Sequence, residues 1–208
     1  MSTKEAAVQS PLTQTRKVAA IGMFAAIAAV LMFFEFPLPV APVFYKLDFS
    51  EVPVLIGTFC YGPLAGVLIE LVKILVKTVI KGTSTAFVGE IANFAIGCAM
   101  IIPAGIIYML KKTRKRAIIG LVAGTLVMTL VGAFLNAYVL LPAYSVAYGM
   151  PVDSLVAMGA AINASVTDVL SFAMLLVVPF NLIKGLVVSV LTCLLYKHIS
   201  RLIKGAND

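Results

Sequence analysis

The run FVGEIANFAIGCAMIIPAGIIYMLKKTRKR, residues 87–116, decides the fold. Its first part, Phe87 to Leu110, is apolar enough and long enough to cross a hydrocarbon core of about 30 Å, which takes about 20 helical residues. It ends in KKTRKR, Lys111 to Arg116, the densest block of positive charge in the chain. A basic block directly after an apolar span is held on the cytoplasmic side of a membrane.

Working outward from that anchor gives five more spans. The first runs from Val18 to Phe36 and stops at Pro37, with Pro39 and Pro42 following, so FPLPVAPVFYKLDFS (residues 36–50) is a non-helical loop. The second runs from Glu51 to Tyr61 and ends at Gly62-Pro63; the third continues to Lys81 before the breaker GTST. The fifth runs from Ala117 to Leu141 and stops at Pro142. A weakly amphipathic connection over residues 143–168, with room for a short helix, then leads to the sixth span, Val169 to Ile203. With Lys111–Arg116 inside, six crossings put Arg16 and Lys17 on the same side as Lys197, Arg201 and Lys204, so both termini are expected in the cytoplasm. The expectation is an all-α integral membrane protein: six transmembrane helices in one compact bundle forming a single domain over residues 1–208. A polar segment covers residues 1–15, the bundle covers 16–204, and the first span is a retained helix rather than a signal peptide.

Composition agrees. Of 208 residues, 62% are hydrophobic and 12% charged, with mean hydropathy +1.08, so water is not the main solvent of this chain. The net charge of +7 belongs to membrane topology, since no soluble basic domain is available to bind nucleic acid. Cys60, Cys98 and Cys193 lie in apolar segments at spacings unlike a zinc site and read as packing residues; no metal site is expected. The single His198 lies in the tail, no nucleophile sits beside a base, and there is no GxxxxGK[ST] loop, so no catalytic residue is expected and any ATP-derived energy comes from partners.

The polar residues inside apolar sequence are Asn136, Asn181 and Lys184, and each needs a partner or a ligand. Asn181 and Lys184 share one helix face, directly after Pro179, and offer a donor-rich patch beneath two outer loops, residues 36–50 and TSTAFVGE (83–90). Two readings stand: a ligand site, or structural glue in which Lys184 pairs with Glu70 or Glu90. In the third span Lys73 is expected to pair with Glu70, while Lys77 and Lys81 reach the outer headgroups; a polar cavity at Lys73 is the alternative. Gly22, Ala25, Ala26 and Ala29 form a smooth stripe on the first span where a second helix, internal or external, can approach closely.

The ordered segments YKLDFSEVP (45–53), YGPLAGVLIELVK (61–73), VGEIANFAIG (88–97), FLNAYVLLPAY (134–144) and VPFNLIKGL (178–186) resemble the riboflavin-binding S components of bacterial energy-coupling factor (ECF) vitamin transporters. The likeness spans residues 16–204. It implies a multi-pass protein of the bacterial plasma membrane that binds riboflavin from outside, carries no cofactor, and docks onto one transmembrane scaffold subunit and two ATPase subunits in the lipid bilayer. It also implies that Asn136, Asn181 and Lys184 hydrogen-bond the flavin ring. Lys46, Leu47, Asp48 and Phe49 would close over the pocket, and Val88, Gly89, Glu90 and Asn93 would lie near the ribityl chain. Gly22, Ala25, Ala26 and Ala29 would face the scaffold. An S component for another vitamin, such as thiamine, and a membrane protein outside the ECF group, either an enzyme or an assembly factor, are the competing readings.

Overall fold

The computed structural model describes residues 11–42, 44–83 and 85–205, with side chains described over 14–42, 44–83 and 85–196. Most of the expected polar segment 1–15, and the side chains of Lys197, His198, Arg201 and Lys204, lie outside the described residues.

Among the described residues the chain is all-α apart from one small ribbon. Helix α1 spans Pro11–Phe33, three residues short of the expected end at Phe36. Phe36–Pro37 (β1) instead pairs antiparallel with Lys46–Leu47 (β2), Phe36 opposite Leu47. The proline-rich loop is thereby pinned as a flap. Helices α2 (Glu51–Tyr61), α3 (Pro63–Lys81) and α4 (Val88–Leu110) follow, in close agreement with the sequence reading.

The fifth span does not stop at Pro142. Helix α5 (Arg114–Leu135) passes through a π-helical turn, Asn136–Leu140, into α6 (Leu141–Tyr148). The wide turn breaks the regular hydrogen-bond ladder, so Pro142 falls in the first turn of α6, where its missing N–H costs little. The connection carries a further helix, α7 (Val152–Ala160). The last span has the same irregularity: α8 (Val169–Phe172), a second π turn over Ala173–Val177, then α9 (Val178–Gly205). Pro179 lies just beyond that turn, so the backbone is loosened where it was expected to be.

Among the described residues four stretches are long and apolar enough to cross a membrane: Gln14–Phe33, Val88–Leu110, Arg114–Tyr148 and Val169–Tyr196. Helix α2 is shorter, and it is enclosed: residues 51 through 59 are all buried, packed among α1, α3, α4 and α9. The main core is built around it, with Phe24, Leu55, Phe59, Ile69, Met100, Ile101 and Leu121. A second cluster, around Tyr144, Leu155, Phe172 and Leu176, forms beneath the loops.

One expectation about α1 is corrected. Ala25 and Ala29 are buried against the chain's own α2 and α3, because the stripe of small residues is what lets those helices approach. Gly22 and Ala26, on the neighbouring face, are exposed.

Candidate functional site

The helices converge so that their polar interruptions meet at one end of the bundle, opposite Lys111–Arg116. Asn136 opens the π turn after α5, and Asn181 and Lys184 stand on α9 just after the other. All three are buried, at 1%, 4% and 8% exposure. They line a cavity of about 490 Å³, within the roughly 300–1,000 Å³ usual for small-molecule sites.

Of the residues singled out in the sequence, Lys46, Asp48, Gly89, Glu90 and Asn93 line the same cavity. Leu47, Phe49 and Val88 do not. Leu47 packs with Ala41 and Phe180, Phe49 packs against that cluster, and Val88 packs into the second core cluster. In a pleated flap alternate side chains point opposite ways, so Lys46 and Leu47 cannot both face the cavity.

Gly132 brings the two asparagines together. Asn136 Nδ2 donates to the Gly132 carbonyl at 2.7 Å, while a Cβ at Gly132 would stand 2.6 Å from Asn181 Nδ2. Lys184 pairs with Asp48 at 3.5 Å, not with Glu70 or Glu90, so the flap supplies its counter-charge. Burial pushes the Asp48 carboxyl up, but Lys184, Lys73 and Ser50 outweigh it and hold it below its ordinary 3.8.

At the cavity mouth Glu35 accepts from Lys46 at 3.0 Å and from Lys81 at 2.5 Å. Burial raises the Glu35 carboxyl; the two lysine hydrogen bonds bring it below its ordinary value. Lys81 thus pairs with Glu35 beside the flap, and Lys77 lines the cavity. Lys73 does pair with Glu70, at 2.6 Å, and also with Glu51, at 3.0 Å; it does not line the cavity. On the other wall Glu90 accepts from Thr83 at 3.0 Å and Thr85 at 3.1 Å, which fold the α3–α4 loop around it.

Sequence reasoning missed the aromatic walls. Phe44, Tyr45, Tyr144 and Phe180 line the cavity, with ring centroids 4.8 Å (Phe44–Tyr45), 5.7 Å (Phe44–Tyr144) and 5.6 Å (Tyr45–Phe180) apart. Their available signal was the aromatic pair at 44–45 immediately before the flap residues. Flat apolar walls with convergent amides and the buried Lys184 ammonium suit a planar heteroaromatic ligand with a hydrogen-bonding edge.

Apolar helices long enough to cross a membrane, gathered around a cavity beneath a flap, are the architecture of a membrane component that binds a small solute. Residues 16–196 match the family described as the substrate-specific component of ECF transporters, and the chain belongs to that family. Its members are transport components, not enzymes. The chain is similar to the riboflavin transporter RibU of Staphylococcus aureus (strain TCH60), 37% identical over 93% of this chain and 95% of that protein. It is 34% identical to the riboflavin transporter FmnP of Bacillus subtilis (strain 168), over 88% of this chain and 91% of that one. A solved S component of a bacterial ECF transporter superposes with a TM-score of 0.71 at 37% identity, covering 92% of this chain and 99% of that chain.

Proposed function

We propose that this chain is the riboflavin-specific S component of an ECF transporter in the bacterial plasma membrane. In this reading it is a single domain that crosses six times with both termini in the cytoplasm, and it takes its energy from a scaffold subunit and two ATPase subunits. The observation that carries the ligand assignment is the buried set Asn136, Asn181 and Lys184 in one cavity with aromatic walls. Relatives named as riboflavin transporters support it.

The isoalloxazine has two apolar faces and a pyrimidine edge of alternating donors and acceptors. Amides can match both kinds, and an ammonium can donate to a ring carbonyl. Discrimination follows, because an analogue without that edge leaves the buried amides unpaired. Asn93, Gly89 and Glu90 lie on the wall opposite α9, where a polyhydroxyl chain would find acceptors.

Orientation rests on charge. The cavity opens at the end opposite Lys111–Arg116, so positive-inside topology turns it outward. Protein purified from cells grown with riboflavin is expected to be yellow, and the ligand-free form to quench riboflavin fluorescence saturably. Quenching that survives in both Asn136→Ala and Lys184→Ala would remove the assignment; a colourless protein that leaves riboflavin fluorescence unchanged would redirect it to another vitamin.

A further inference from the structure

The most costly feature of the bundle is not in the cavity. Lys73, completely buried, contacts the carboxylates of Glu51 at 3.0 Å and Glu70 at 2.6 Å, both themselves buried. Glu51 Oε2 and Glu70 Oε1 have no donor. The two carboxylates share a space beside Gly97, where an added Cβ would stand 2.6 Å from Glu70 Oε1 and 3.4 Å from Glu51 Oε1. The other groups facing them are Asp48 from the flap, Lys184 from α9 and the Cys98 thiol from α4. Three carboxylates therefore share two ammonium groups, and Glu51, Glu70 and Lys73 among them are sealed from water. An uncompensated charge is poorly tolerated there, and two carboxylates at one site do not both ionise readily.

We propose that Glu51 and Glu70 hold one proton between them, forming a buried proton-binding site beneath the ligand cavity. A proton fits better than a metal ion. A carboxyl O–H supplies the missing donor to a neighbouring carboxylate oxygen, whereas a monovalent cation needs several more oxygens than two side chains give. The carboxyl oxygens that lack a donor are thereby satisfied, and the cluster becomes neutral: Asp48 with Lys184, and one remaining negative charge with Lys73. The site is one ion pair from the cavity. A ligand that draws Lys184 away from Asp48 shifts negative charge toward Glu51 and Glu70 and tightens their hold on the proton; this linkage rests on the ligand reading above.

The site itself is testable without ligand. Infrared spectra of the full chain in an ester-free maltoside detergent near neutral pH are expected to contain a protonated-carboxyl C=O band that moves down in heavy water. It should be present in wild type and Glu90→Gln, and absent in both Glu51→Gln and Glu70→Gln. Wild type with no such band, or a band that survives in either variant of the pair, overturns the proposal. Should those variants fail to fold, isotopically labelled glutamate decides: a band that does not shift with the label belongs elsewhere and overturns it. A band abolished by sodium chloride but not by choline chloride would make the site one for a metal cation instead.

Discussion

The phenol hydroxyl of Tyr45 donates to Oδ1 of Asn136, so the flap engages the amide that would read a ligand's edge. The Tyr45 ring is half-buried, and burial, reinforced by Tyr144, pushes its phenol well above the ordinary 10, which keeps it a donor. A ligand that needs Asn136 Oδ1 has to displace this contact. A hydrogen bond of this kind is worth about 1 kcal/mol net. Tyr45→Phe is therefore expected to bind riboflavin faster and up to about fivefold more tightly, measured by stopped-flow quenching. Tenfold weaker binding would instead make Tyr45 a ligand contact.

Gly132 leads to a second prediction. The 2.6 Å separation between an added Cβ and Asn181 Nδ2 leaves no room for a methyl group, and the obstructing atom is the amide itself. Gly132→Ala gains helix propensity, yet Asn181 has to move, at a cost of about 1–3 kcal/mol for an overpacked site. Riboflavin affinity is expected to fall about ten- to a hundredfold while the melting temperature of the ligand-free protein stays close to wild type. Unchanged affinity would place Asn181 outside the recognition set.

Much of this site was legible because an amide or ammonium in apolar sequence demands an explanation. Asn136, Asn181 and Lys184 stood out on that ground alone, and the cavity gathers them. Tyr45 did not, since an aromatic in a proline-rich outer loop also suits a membrane interface. Glu51 read as the start of a helix; its partner Lys73 stands 22 residues away on another helix, a relation that spacing within one helix does not express. Pro142 misled for a different reason. A proline stops a regular α-ladder, and the π turn that absorbs it here has no distinct residue pattern. The small residues of α1 gave the right spacing but not the face, because Ala25 and Ala26 differ only in which way the helix is turned.

The Asp48–Lys184 pair makes the flap acid-sensitive. Asp48 is held below 3.8 in the folded protein by Lys184 and Lys73 against the opposing effect of burial. A depressed carboxyl contributes stability in full above its unfolded value, and that contribution disappears as pH falls through the folded value. Thermal stability in detergent should therefore decline below about pH 4, and Asp48→Asn should flatten this part of the acid limb. An acid limb identical in wild type and Asp48→Asn would show that the pair is not coupled to folding.

Two alanines one residue apart on α1 should behave in opposite ways. Ala25 is fully buried against the chain's own helices, so Ala25→Phe overpacks the core, costs about 1–3 kcal/mol or more, and lowers stability and riboflavin binding together. Ala26 is exposed, and a Cβ on neighbouring Gly22 would meet nothing within 4 Å, so this face has room that the chain does not use. Small residues four apart suit close approach by another helix, and in the proposed complex that helix belongs to the scaffold subunit. Ala26→Phe is therefore expected to leave flavin quenching and melting temperature unchanged while abolishing riboflavin uptake by cells that supply the complete transporter. Wild-type uptake by a stable Ala26→Phe protein would move the scaffold contact off this face, because a benzyl group there cannot coexist with a helix packed at glycine–alanine distance.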